Sequence, residues 1–259
     1  MILSEYKAVA HRGLHDISKG IPENSLAAFQ RAVEVGAAIE IDVRLTCDNV
    51  AVVFHDDSLE RMTGVIRPVE DCSWEELKEL RLQDTRQGIP LLAQVLSMVG
   101  GRVPLLIELK DNGLKGRLAE EAMRQLRGYR GRYMVQSFNP LVLLQVKRIA
   151  PYVRRGQLSQ KSLPKEKEGG KRFLSLVKEA LRKNLLGNVN FNGITKPDFI
   201  AYRIKDLTAI QAHQWEKQGY GLLAWTVHSQ EQLNLAAELC QGAIFEGMDY
   251  ETVKRRMEG

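Results

Sequence analysis

Four short stretches of the chain put ionisable side chains at strand-like spacing. Ala10-His11-Arg12-Gly13 closes an apolar run near the amino terminus. Ile39-Glu40-Ile41-Asp42-Val43 alternates acid with aliphatic. Residues i and i+2 of a strand share a face, so Glu40 and Asp42 project together and Ile39, Ile41 and Val43 face the other way. Val52-Val53-Phe54-His55-Asp56-Asp57 carries a histidine at the end of an apolar run, and Leu105-Leu106-Ile107-Glu108-Leu109-Lys110 puts Glu108 and Lys110 on one face.

The residue types suggest the chemistry. Two carboxylates on one face of a buried strand repel each other, and the pattern makes sense with a cation between them. Oxygen-only ligands suit Mg2+ or Ca2+ rather than Zn2+, and Glu108 is a third carboxylate of the same kind. A histidine followed by an arginine offers a proton shuttle beside a phosphate-pairing cation. Each motif also has a plain structural reading: a structural His11, an acidic solvent face for Glu40 and Asp42, a buried ion pair for Glu108 and Lys110. Gathered at one surface, three carboxylates, two histidines, Arg12 and Lys110 describe metal-assisted phosphodiester cleavage, with His11 and His55 as general acid and base.

Gathering them requires strands that end together. Strands are predicted at Tyr6–Ala10, Ala38–Val43, Ala51–His55, Val103–Leu109, Tyr133–Gln136, Val153–Leu158, Phe199–Tyr202, Leu222–Val227 and Ala243–Phe245. Helices are predicted at Ser25–Val35, Trp74–Leu80, Leu91–Val99, Leu114–Leu126, Pro140–Ile149, Lys171–Leu185, Asp206–Lys217 and Gln230–Leu239. Roughly eight strand–helix alternations in about 250 residues predict an α/β fold of the (β/α)8 TIM-barrel type, whose active sites lie at the carboxyl ends of the strands. A doubly wound sheet fits less well, because no G-x-G-x-x-G follows the first strand. Only Arg44–Asn49 separates Val43 from Val50. A parallel crossover needs ~10 residues or more, so these strands form a hairpin, with Asp48-Asn49 as turn residues. That accounts for nine strands at eight barrel positions and brings His55 across from Glu40 and Asp42.

Composition narrows the function classes. The 259 residues are 44% hydrophobic and 27% charged, ordinary globular values for a chain of one barrel domain spanning 1–259. Residues 58–87 read as a small insertion after the early His-Asp strand, and 159–196 as a variable basic one. Net charge is +5, which favours anionic partners but is too small to mark a nucleic-acid binder, so no nucleic acid is expected. Cys47, Cys72 and Cys240 include no C-x-x-C pair, which argues against disulfides and structural zinc. No apolar stretch approaches the ~20 residues of a membrane span. The opening residues lack a signal-peptide pattern, so a cytoplasmic protein is expected.

The residues also resemble a known family. His11-Arg12-Gly13, Pro22-Glu23-Asn24-Ser25, the run Gly36–Val43, Thr46, Val53, His55-Asp56 and Ile107-Glu108-Leu109-Lys110 are similar, in order and spacing, to the glycerophosphodiester phosphodiesterase pattern. The likeness continues through Gln136-Ser137-Phe138 and Trp225-Thr226-Val227. The resemblance implies a (β/α)8 barrel that hydrolyses small-molecule glycerophosphodiesters to glycerol 3-phosphate and an alcohol. It implies one divalent cation, Mg2+ or Ca2+, on Glu40, Asp42 and Glu108. It makes His11 and His55 the acid–base pair, Arg12 and Lys110 phosphate ligands, and Trp225 an aromatic wall, with a core Trp225 as the alternative. Glu23 either lies at the cleft or complements a helix amino terminus.

The chain departs from the family pattern at His228, at Leu91-Leu92 after Ile89-Pro90, and at Ala243-Ile244-Phe245-Glu246-Gly247, where Gly-Ile-Ile-Thr-Asp is usual. These changes touch the alcohol side and the last strand, not the expected ligands. Phe173, Leu174, Val177, Leu181 and Leu185 are spaced for one helix face, with basic residues elsewhere. A barrel helix is the preferred reading. An interfacial helix at a membrane surface would instead suit a lysophospholipase D-type enzyme. A catalytically silent phosphoester-binding barrel is the third reading.

Overall fold

A computed structural model describes residues 3–111, 116–161 and 192–259. Its nine strands are β1 Ala8–Ala10, β2 Ala38–Leu45, β3 Ala51–Val53, β4 Leu105–Leu109, β5 Tyr133–Ser137, β6 Arg155–Ser159, β7 Phe199–Arg203, β8 Gly221–Val227 and β9 Gly242–Phe245. Eight of them run parallel and close on themselves, because β1 pairs with both β9 and β2. The fold is a TIM barrel. The extra strand, β3, lies antiparallel on β2 with Val43 opposite Val53. The Arg44–Asn49 stretch is therefore the expected hairpin, and Asn49 takes positive φ in its turn.

Long helices follow most strands: α1 Leu26–Val35, α4 Leu92–Val99, α5 Arg117–Leu126, α6 Pro140–Ile149, α8 Ala209–Lys217, α9 Gln230–Leu239 and α10 Tyr250–Glu258. Their ends obey local chemistry. The side chains of Ser25, Asn139, Thr208, Ser229 and Asp249 each accept a backbone N–H at a helix start, satisfying donors that the helix leaves unpaired. Gly36 ends α1 at φ 76°, a left-handed conformation natural to glycine. The described residues also form the short helices α2 Glu60–Thr63, α3 Trp74–Leu77 and α7 Asn192–Thr195.

The structure departs from the sequence reading at several element ends; β3, for one, stops at Val53 and leaves His55 just beyond the strand. The third helix stops at Leu77 rather than Leu80. The eighth starts at Ala209 because Thr208 caps it, leaving Ile204–Asp206 as a separate 3-10 turn. The helix Tyr250–Glu258 was not predicted; it buries Tyr250, Val253 and Met257. The helix expected at Lys171–Leu185, with its Phe173–Leu185 stripe, lies outside the described residues.

Apolar packing divides into three clusters. The largest joins the outer face of the strands to the helices. A second fills the barrel interior with Val9, Leu106, Met134, Phe199, Leu223 and Ile244. It plugs the lower barrel, so polar inward side chains collect at the carboxyl end. The third belongs to the segment after β3, where Phe54, Leu59, Met62, Val69, Leu77 and Leu82 pack together. This cluster gives the segment a small core of its own and carries α2 to the barrel mouth.

Gly156 shows how tightly the interior is filled. A Cβ on it would overlap the buried Phe199 ring, and filled cores tolerate added volume poorly. Gly156→Ala is expected to lower stability by about 1–3 kcal/mol, read as a lower urea midpoint at unchanged slope.

Candidate active site

Strand register assembles the acidic cluster. Glu40 and Asp42 lie two apart on β2, and Asp42 sits directly beside Glu108 of β4. All three are buried, at 1%, 1% and 8% exposure. Each offers an oxygen within 4.8 Å of the others. An ion ligated at about 2.0–2.6 Å holds its donors no more than about 4–5 Å apart, so the spacing fits Mg2+ or Ca2+. Burial and the charges of Asp42 and Glu108 push the Glu40 carboxyl well above its usual range. Burial pushes Asp42 the same way, but Lys110, His55, Arg12 and His11 outweigh it and hold Asp42 well below its ordinary value. Asp42 Oδ1 is buried and accepts no hydrogen bond. An ammonium partly occupies this region: Lys110 Nζ lies 2.9 Å from Glu108 Oε1 and 3.3 Å from Asp42 Oδ1.

The turn after β1 wraps the other side of the cluster. Arg12 takes φ 56°, which lets its backbone N–H donate to Glu40 Oε2 at 3.0 Å. Gly13 follows at φ 83°, and a Cβ there would lie 2.9 Å from Ala28 and Phe29. Only glycine lets the turn pack this close to α1. The Arg12 guanidinium donates to Glu23 Oε1 at 2.7 Å and lies 3.5 Å from Asp42 Oδ2. Asn24, also at positive φ, donates to Asp42 Oδ2 at 2.8 Å. Glu23 precedes the α1 cap Ser25 and is committed to Arg12, so its place is at the cleft rather than in the first turn of the helix.

Both histidines are braced by carboxylates. His11 Nδ1 lies 2.6 Å from Glu246 Oε2, and His15 Nε2 lies 3.7 Å from Glu246 Oε1. His55 Nδ1 lies 2.6 Å from Asp56 Oδ1. A carboxylate at Nδ1 keeps the proton on that nitrogen and leaves the Nε2 lone pair available for chemistry. Burial lowers the His11 pKa, with the Glu246 hydrogen bond opposing it. Arg44 donates twice to the His55 carbonyl, at 3.0 and 2.7 Å, which fixes the backbone at that point.

Across the mouth, Gln136 neighbours Glu108 in register, and its Oε1 is buried without a hydrogen bond. Trp225 is half-buried, donates Nε1–H to the Ala201 carbonyl at 3.0 Å and meets Phe138 edge-to-face at 5.4 Å. It packs against the barrel-interior apolar cluster from the mouth side.

Residues 11–248 match the model of the glycerophosphoryl diester phosphodiesterase family. The chain belongs to that family. It is thereby placed in a class of phosphoric diester hydrolases. A glycerophosphodiester phosphodiesterase of Caldanaerobacter subterraneus subsp. tengcongensis is 37% identical over 163 residues, which cover 59% of this chain and 66% of the relative. One of Bacillus altitudinis is 29% identical over 97% of this chain and 98% of its own length. The fold is shared with an Oleispira antarctica phosphodiesterase solved in complex with the product sn-glycerol-3-phosphate. That match has a TM-score of 0.78 and 23% identity, and covers 100% of this chain and 99% of the other.

The structure of this phosphodiesterase-family chain brings Glu40, Asp42, Glu108, Arg12, Glu23 and Lys110 into one connected cluster. His11 and His55 adjoin it along the chain: the N–H of Arg12 donates to Glu40 and that of Phe54 to the Asp42 carbonyl. Sequence reasoning missed Glu246, Asn24 and Arg61. Glu246 directly follows the last barrel strand, a strand-end position like that of His11. The family pattern offers no carboxylate role at this position, so only the strand-end position could have signalled it.

Glu246 also has a pH signature. Its hydrogen bond from His11 holds the carboxyl at about 2, below the ordinary 4.5, against the effect of burial. A depressed folded-state pKa stabilises above the unfolded value, and that stability is lost as pH falls through the folded one. Urea melts of wild type and Glu246→Gln should therefore differ most at neutral pH. The gap should close as pH falls from about 4.5 to about 2.

Proposed function

We propose that the chain hydrolyses glycerophosphodiesters to glycerol 3-phosphate and an alcohol, with a divalent cation, Mg2+ or Ca2+, held by Glu40, Asp42 and Glu108. The observation that carries this reading is the pairing of a buried triad of carboxylates with two histidines, each braced at Nδ1. The chain is read as one barrel domain, with 58–87 inserted at its mouth. The relatives named for this activity support the substrate class.

When bound, the cation would supply positive charge against a nonbridging phosphoryl oxygen. The protein's residues do the rest. Arg12 and Lys110 present cations to the phosphate, oriented by Glu23 and Glu108. Burial favours the neutral form of His11, which takes a proton at Nε2 from the hydroxyl that attacks phosphorus, that of water or of the substrate's own glycerol. His55, with its Nδ1–H held by Asp56, gives from its protonated form the Nε2 proton that the leaving alkoxide needs. Trp225 and Phe138 offer an apolar wall to the substrate's carbon skeleton. Among the described residues no helix is long and apolar enough to cross a membrane, and a small diester needs none.

Release of glycerol 3-phosphate from glycerophosphocholine and glycerophosphoethanolamine tests the proposal. EDTA should abolish turnover, and Mg2+ or Ca2+ should restore it. His11→Ala and Glu40→Ala should each lose more than ~100-fold. A wild type inactive under every cation sinks the small-diester reading, and lysophospholipids are then the next substrates to assay.

A further inference from the structure

One guanidinium joins the two halves of this site, and it comes from the inserted segment rather than from the barrel. Arg61 lies in α2. Its Nε donates to Asp56 Oδ2 at 2.5 Å, its Nη1 to Glu23 Oε2 at 2.9 Å and its Nη2 to Glu23 Oε1 at 2.7 Å. Each acceptor has a second commitment. Asp56 Oδ1 holds His55 Nδ1, and Glu23 Oε1 also accepts from Arg12 Nη1. An unbroken charged chain thus runs His55–Asp56–Arg61–Glu23–Arg12 and ends on the carboxylates of Asp42 and Glu40.

We propose that Arg61 is a positioning residue, which sets the His55 ring and the Arg12 guanidinium in one fixed relation through Asp56 and Glu23. This rests on the proposed diesterase reading. The inference deepens it by making the insertion part of the working site.

Three considerations carry it. First, the geometry needs a fork. Arginine's planar donors reach both oxygens of Glu23 and one of Asp56 at once, whereas a lysine is a single point charge. Second, the charge balance needs a shared carboxylate. Glu23 divided between two guanidiniums leaves Arg12 with cationic character to spend on phosphate. Glu23 left to Arg12 alone would neutralise it. Third, stability does not explain the arrangement. The Arg61 side chain is 45% exposed, and pairs that open to water contribute little to folding. Removing it should therefore be felt in turnover and not in the melt.

The test compares kcat, KM and Tm for wild type, Arg61→Ala, Arg61→Lys and Arg67→Ala under the activating cation. Arg67 lies on the same insertion, and its side chain bonds Glu76 and the Asp71 carbonyl, so its variant controls for loosening of that segment. Arg61→Ala should lose about 10- to 100-fold in kcat/KM, the scale of a small misplacement of reacting groups. KM should rise and kcat should fall. A merely structural defect would lower the active fraction and leave KM alone. Free guanidinium, at concentrations too low to denature, should restore part of the loss. Arg61→Lys should recover less than half of it, and Arg67→Ala should match wild type. An Arg61→Ala enzyme within twofold of wild type overturns the inference while the diesterase reading stands. So does a loss that tracks Tm and resists guanidinium. A wild type with no diester turnover overturns both.

Discussion

Three carboxylates buried within one ion's reach repel each other, and the rest of the site is arranged around that repulsion. Glu40, Asp42 and Glu108 are forced together by register: i and i+2 on β2, and a directly paired position on β4. Such a group is stable only if positive charge or donors surround it. The chain supplies Arg12, Lys110 and Asn24. The opposite displacements of the Glu40 and Asp42 carboxyls show the balance, one pushed up by burial and like charge, the other held down by cations. A divalent ion would relieve the same repulsion, and the three carboxylates are spaced to hold one.

Backbone strain serves the same end. Arg12 and Asn24 both adopt positive φ, and Gly13 takes the position where a Cβ would strike α1. Non-glycine residues in that region cost free energy and persist where surrounding structure over-determines them. Here the return is that Arg12 N–H reaches Glu40, Asn24 reaches Asp42, and their backbones bond to each other at 3.0 Å.

A second layer of carboxylates then sets the histidines. Glu246 comes from the last barrel strand and Asp56 from the hairpin side, so the two imidazoles are held by elements at opposite ends of the barrel sequence. The lower interior, filled with apolar side chains such as Phe199 and Leu106, keeps this polar assembly at the mouth. The segment after β3 contributes through α2, seated on its own apolar cluster.

Much of this was legible in the sequence because it depends on local periodicity. Alternation placed Glu40 with Asp42 and Glu108 with Lys110, and the short Arg44–Asn49 connection required a hairpin. The family likeness supplied the roles. What periodicity cannot carry is pairing between distant strands and loops. That Glu246 meets His11, 235 residues away, depends on closing the barrel between β9 and β1. That Glu23 serves Arg12 and Arg61, rather than the start of α1, depends on how the insertion folds back over the first loop. The sequence by itself determined which side chains share a strand face. Only the tertiary structure decided which charges face each other, because a carboxylate's partner is set by through-space distance and burial, and neither follows from its neighbours along the chain.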